Sequence, residues 1–117
     1  TKKTCTFVVS ELSEFNHENS TFDAIVFNEV LYSLACDEAC RELHRYSLML
    51  KPKGYLCVSM KNDPKSRLIF RLIEREFDCV RSIVFQVSPS NSPGFRIERS
   101  PQSPAYTIAA FTPRDAV

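Results

Sequence analysis

Residues 22–34 read FDAIVFNEVLYSL, and the apolar run inside them limits the possible folds more than any other stretch. Ala24, Ile25, Val26 and Phe27 are continuously apolar rather than alternating, the pattern of a strand buried on both faces of a parallel sheet. Polar groups follow at once, with Asn28 and Glu29 at the exit. A parallel strand that ends this way delivers those side chains to the crevice outside the carboxyl end of the sheet, where open α/β sheets bind ligands. The same two residues also suit the start of a helix, as a cap and an early acid.

The surrounding chain supplies partners for such a strand. TCTFVV is β-branched and aromatic, which predicts a strand over residues 4–9. Asp37 can cap a helix running to Leu50, because Ala39, Leu43, Tyr46 and Leu50 recur at helical spacing. KPKG at residues 51–54 stops that helix, since Pro52 cannot continue it and Gly54 can turn. GYLCVSM is a further strand, and Asp63 and Pro64 then open a second helix with Leu68, Ile69, Leu72, Ile73 and Phe77 on one face. DCVRSIVFQV and YTIAAFTP read as closing strands, joined by a proline-bearing loop in which GFRIE makes a short strand. The order β-β-α-β-α-β-β predicts an α/β fold with right-handed parallel crossovers and an antiparallel edge.

Bulk properties exclude several classes of function. Lys+Arg 15 against Asp+Glu 14 leaves a net charge of +1, with no electrostatic footprint for nucleic acid or an acidic membrane. No apolar run nears the roughly 18 residues of a membrane span. Five cysteines, Cys5, Cys36, Cys40, Cys57 and Cys79, form no CxxC pair, so a reduced, cytoplasmic setting is expected. Cys36 and Cys40 share a helix face but lack nearby histidine or aspartate partners, and no metal site is expected. Arg67, Arg71 and Arg75 repeat every fourth residue, as a solvated helix face does.

FDAIVFNEVLYSL followed by RYSLMLKPKGYLCVSM resembles the second half of class I S-adenosylmethionine-dependent methyltransferases. The resemblance covers residues 5–112. It implies a partial Rossmann-like sheet with an antiparallel last strand and helices packed on it, and a single, incomplete domain over residues 1–117. FVVSELSEF looks like the family's third strand and acidic loop. Glu11 then matches the acid that accepts from the adenine amino group, and Leu12 the residue whose backbone N–H meets a ring nitrogen. A carboxylate is acceptor-only, which suits an exocyclic amine; Glu11 as a solvated loop acid is the bland alternative. By the same resemblance Asn28 borders S-adenosylmethionine, Glu29 and Tyr32 face a small-molecule methyl acceptor, and Glu29 is the one acid placed for a general base.

The family's glycine-rich turn after its first strand has no counterpart, since Gly54 and Gly94 are the only glycines and neither precedes a suitable helix. Without the first two strands of a 3-2-1-4-5-7-6 order, the inner edge of the fourth strand is left open. Residues 4–9 could slide across to pair with it, or a complementing amino-terminal segment or a second copy could cover it. The expected function is therefore the carboxy-terminal portion of a methyltransferase, inactive by itself. The alternatives are a non-catalytic module pairing through that edge, or another nucleotide-binding α/β fold. Lys53 stands where the family carries glycine, so a different turn geometry is expected there.

Overall fold

The computed structural model describes residues 4–88, 96–97 and 105–114. Strand β1 (Phe22–Asn28) is followed by a single 3-10 turn (Leu31–Ser33) and helix α1 (Cys36–Ser47). Strand β2 (Leu50–Lys61), helix α2 (Pro64–Glu74) and strands β3 (Phe77–Ser88), β4 (Arg96–Ile97) and β5 (Ala105–Pro113) complete the chain. The sheet order is β1-β2-β5-β3-β4. β1 and β2 run parallel, while β5 inserts antiparallel to both β2 and β3. Gly94, and the parts of GFRIE beyond Arg96 and Ile97, lie outside the described residues.

Both helices serve one face of the sheet. Ala39, Leu43 and Tyr46 of α1 and Ile69 and Ile73 of α2 join Phe27, Leu56, Val58, Met60, Ala109 and Phe111 in a single buried cluster. Alternation along a strand sends the intervening residues to the other side. There the described residues provide no cover, and Val26 is 65% exposed, with Tyr55, Ile83 and Ile108 exposed beside it. β1 is thus buried on one face, not on two as its unbroken apolar run suggests. The composition of the run reports the demand for burial, and the second face is apolar with no layer above it among the described residues.

The helix boundaries differ from the sequence reading in instructive ways. α1 has Ala35 at its cap position with no side-chain hydrogen bond, and Asp37 lies in the first turn. There its charge favours the helix dipole without capping it. The helix ends at Ser47, and Leu50 is buried as the first residue of β2. In α2, by contrast, Asp63 caps as expected, accepting from the Ser66 N–H at 2.8 Å, with Pro64 in the first turn. Leu68 is 48% exposed, so the buried stripe narrows to Ile69 and Ile73, with Phe77 buried from β3.

KPKG is part of β2 rather than a helix stop. The β1–β2 register jumps here, from Phe22 opposite Leu50 to Ala24 opposite Tyr55. Lys53 absorbs the jump with φ 68°, in the left-handed region that favours glycine. The lysine therefore takes on a glycine-type conformation instead of forming a different turn. Gly54 serves close approach: a Cβ there would lie 2.9 Å from the Lys51 carbonyl oxygen and 3.0 Å from that of Asp23.

Residues 4–9 form no strand and do not pair with β1; Phe7 is 91% exposed. The next residues are instead tied to α1. Arg45 Nη2 donates to the Leu12 carbonyl at 2.7 Å, and the Tyr46 hydroxyl donates to the same oxygen at 2.6 Å. Arg45 also bonds the Phe15 carbonyl, and the Phe15 ring stacks on Tyr46 at 6.1 Å. Burial holds the Tyr46 phenol above its ordinary pKa, with Arg45 acting in the opposite direction.

Two adjacent substitutions in the jump are expected to move stability oppositely in urea unfolding. Lys53→Gly relieves left-handed strain and raises stability by roughly 0.5 kcal/mol after its own entropic cost. Gly54→Ala forces backbone oxygens apart and lowers it by about 1–3 kcal/mol. Tyr46→Phe removes one donor from Leu12 and costs about 1 kcal/mol, with faster amide exchange at Glu14 and Phe15 as the local readout.

Candidate functional site

The carboxyl end of β1 is fixed by its backbone. Asn28 lies opposite Ser59 in the ladder, and the Glu29 N–H donates to the Ser59 carbonyl at 2.8 Å. Glu29 then adopts φ 59°, a left-handed conformation costing a non-glycine residue about 1–2 kcal/mol. The twist ends the strand and turns the chain into the Leu31–Ser33 3-10 turn, whose cap position is Val30. Asn28 and Glu29 thus do not start a helix. Asn28 closes a strand with its side chain exposed on the uncovered side of the sheet, and Glu29 is half-buried at the turn.

Ser59 holds Glu29 a second time, its hydroxyl donating to Glu29 Oε1 at 3.4 Å. Tyr32 follows in the 3-10 turn at the same end, within electrostatic reach of the Glu29 carboxylate. Its pKa is raised, first by burial and then by the negative charge of Glu29, with smaller contributions from Tyr106 and Asp63. Asn28, Glu29 and Tyr32 are therefore brought together at one end of the sheet. Ser59 was not singled out in the sequence; its place opposite Asn28 is a matter of register, which the strand's own residues do not encode.

Glu11 and Leu12 occupy a separate place. They line an open concavity of about 810 Å³ between the amino-terminal segment and the body, with Phe15, Phe22, Val30 and Leu34 in its wall. The Glu11 side chain is exposed, and its backbone oxygen accepts from Glu14 and Phe15 to close a tight turn. Among the described residues neither the Glu11 carboxylate nor the Leu12 N–H has a hydrogen-bond partner. The turn thus carries one free acceptor, the Glu11 carboxylate, next to one free donor, the Leu12 N–H. Val30, Ser33 and Leu34, which follow Glu29, also line the concavity that Glu11 lines. Arg45 and Tyr46, which hold the Leu12 carbonyl, also escaped the sequence reading. In the sequence they appear only as helix residues.

Among the described residues no group of three or more His, Cys, Asp or Glu stands close enough to hold a metal ion. All five cysteines carry free thiols, and burial raises the pKa of Cys40. No helix among the described residues is long and apolar enough to cross a membrane.

Neither a protein-family model nor a curated protein sequence matches the chain. Solved structures do match it in fold. The N-methyltransferase NodS from Bradyrhizobium japonicum, in complex with S-adenosyl-L-homocysteine, is similar at TM-score 0.65 and 17% identity, over 91% of this chain and 53% of that one. A SAM-dependent methyltransferase from Leishmania major is similar at TM-score 0.61 and 14% identity, over 91% of this chain and 44% of that one. A TehB-like SAM-dependent methyltransferase from Corynebacterium glutamicum gives TM-score 0.55 and 19% identity, over 92% and 55%. The chain spans about half the length of these structures. Its strand order, its antiparallel insertion of β5 and these likenesses together give it the class I S-adenosylmethionine-dependent methyltransferase fold.

Proposed function

We propose that this chain works in S-adenosylmethionine-dependent methyl transfer to a small molecule, supplying the adenine wall and the acceptor wall of the crevice. The observation that carries the reading is the free pair at the Glu11–Leu12 turn, held in place by Arg45 and Tyr46. Glu11 would accept from the adenine amino group, the Leu12 N–H would donate to the ring, and Asn28 would border the cofactor at the end of β1. When bound, the cofactor supplies an electrophilic methyl group on a sulfonium. This chain's residues position the acceptor for in-line attack, which is the larger part of such catalysis. Glu29, at the carboxyl end of β1, would take a proton from that acceptor. A glycine-rich segment contributed by further polypeptide against the free edge of β1 completes this reading. The free thiols support a reducing, cytoplasmic setting.

A second reading is favoured by a different observation. Among the described residues β1 pairs on one side only, and the sheet face carrying Val26, Tyr55, Ile83 and Ile108 is apolar and exposed. A non-catalytic module would use that edge and face to pair with another chain.

Titration of S-adenosyl-L-homocysteine into the labelled chain, read by amide chemical shifts, separates the two. The methyl-transfer reading predicts perturbation of Glu11, Leu12 and Ser13, with affinity falling roughly ten- to a hundredfold in Glu11→Ala, since a hydrogen bond to a charged group is worth about 1.5–3 kcal/mol. Unperturbed amides there, together with concentration-dependent dimerisation, would favour the module.

A further inference from the structure

We propose that His17 is a further binding residue of the concavity that Glu11 and Leu12 line, donating its Nε2–H to the adenosine part of the ligand. The inference rests on the reading of that concavity as the adenine wall, and adds to it a donor from a separate turn.

His17 lines the same space of about 810 Å³ as Glu11, Leu12, Phe15 and Phe22. That volume falls within the roughly 300–1,000 Å³ of ordinary small-molecule sites. The imidazole tilts against Phe22, with ring centroids 4.9 Å apart at 58°. One ring nitrogen is tied to the local turn: Nδ1 accepts from the Glu18 N–H at 2.9 Å and lies 3.2 Å from the Thr21 hydroxyl oxygen. These contacts decide the tautomer. A backbone N–H only donates, so Nδ1 accepts, and the neutral imidazole carries its proton on Nε2. Among the described residues that Nε2–H has no hydrogen-bond partner.

Turn-making alone does not call for a histidine. Asn16 shows as much, since its Oδ1 accepts from the His17 N–H at 3.1 Å. An asparagine or aspartate at residue 17 would serve the Glu18 N–H in the same way. What the imidazole adds is a flat ring against Phe22 and a second nitrogen that bears a proton.

The donor is also held in place. The Thr21 hydroxyl donates to the Glu18 carbonyl at 2.7 Å, and the Thr21 and Phe22 N–H groups both donate to the Met49 carbonyl at 2.9 Å. The turn carrying His17 is thereby anchored just before β2, as Arg45 anchors the Leu12 carbonyl to α1. Two turns fixed separately to the body thus present one acceptor and two donors to a space walled by the rings of Phe15, Phe22 and Tyr46. Groups ordered beforehand gain affinity because binding does not have to order them. Adenosine complements the set, with an exocyclic amine for the carboxylate and ring or ribose acceptors for the two donors.

The test follows the imidazole nitrogens of His17 in the nitrogen-labelled full chain by long-range proton–nitrogen correlation, with adenosine or S-adenosyl-L-homocysteine added. The free chain is expected to show the Nε2–H tautomer, and both ligands are expected to shift Nε2. His17→Phe, which keeps a flat ring without a donor, should weaken both ligands about three- to tenfold. His17→Gln, which returns an N–H near the position of Nε2, should recover most of that loss. An Nδ1–H tautomer, an Nε2 resonance that neither ligand moves, or wild-type affinity in His17→Phe would overturn the proposal. So would a shift of Nε2 with S-adenosyl-L-homocysteine alone, because the donor would then serve the cofactor's tail. Any of these with the Glu11 and Leu12 amides still shifting leaves the methyl-transfer reading standing. Unmoved Glu11 and Leu12 amides contradict that reading, and this inference with it.

Discussion

One parallel pair of strands sets the geometry on which the remainder depends. β1 lies against β2 from Ala24 opposite Tyr55 to Asn28 opposite Ser59, and the hydrogen bond from the Glu29 N–H to the Ser59 carbonyl closes the ladder. The direction of that pair decides which end of the sheet is the carboxyl end, and hence where polar side chains leaving β1 emerge. It also creates a length mismatch, taken up at Lys53 and Gly54 on one strand within a few residues of Asp23 on the other. Left-handed backbone therefore appears at both ends of the same pair, at Lys53 and at Glu29.

The two faces of the sheet have different fates. On one, α1 and α2 bury Leu56, Val58, Ala109 and Phe111. On the other, Val26, Cys57 and Ala110 lie in one ladder row with Arg81, and the described residues place no helix over them. The fold is thus stabilised from one side, with an edge and an apolar face open to further polypeptide. Solved structures of the same fold contain about twice as much chain as this one spans.

What was legible in the sequence was local. Helical spacing found the buried stripes of α1 and α2, and the Asp63–Pro64 pair marked the start of α2 because a cap is a contact between near neighbours. The order of elements gave the parallel pair and the antiparallel ending. The failures were non-local. TCTFVV has strand composition, but a strand exists only beside a partner, and residues 4–9 have none among the described residues. Ala24–Phe27 has the composition of a doubly buried strand, yet what covers it is not a property of those residues. Asn28, Glu29 and Tyr32 could be named as candidates because they follow a recognisable strand, and Glu11 and Leu12 only through the family resemblance. Arg45, Tyr46 and Ser59 could not, because each acts through a register or a crossing distance that only the folded chain sets.

The most direct test of this account is amide hydrogen exchange along β1, residue by residue. Because the Glu29 N–H points to β2, the amides of Ile25 and Phe27 point the same way, and those of Val26 and Asn28 point to the open edge. The account predicts alternating protection, slow at Ile25, Phe27 and Glu29 and fast at Val26 and Asn28. Uniform protection would mean that the edge is already paired, and uniformly fast exchange would mean that β1 does not lie against β2 in the way the crevice requires.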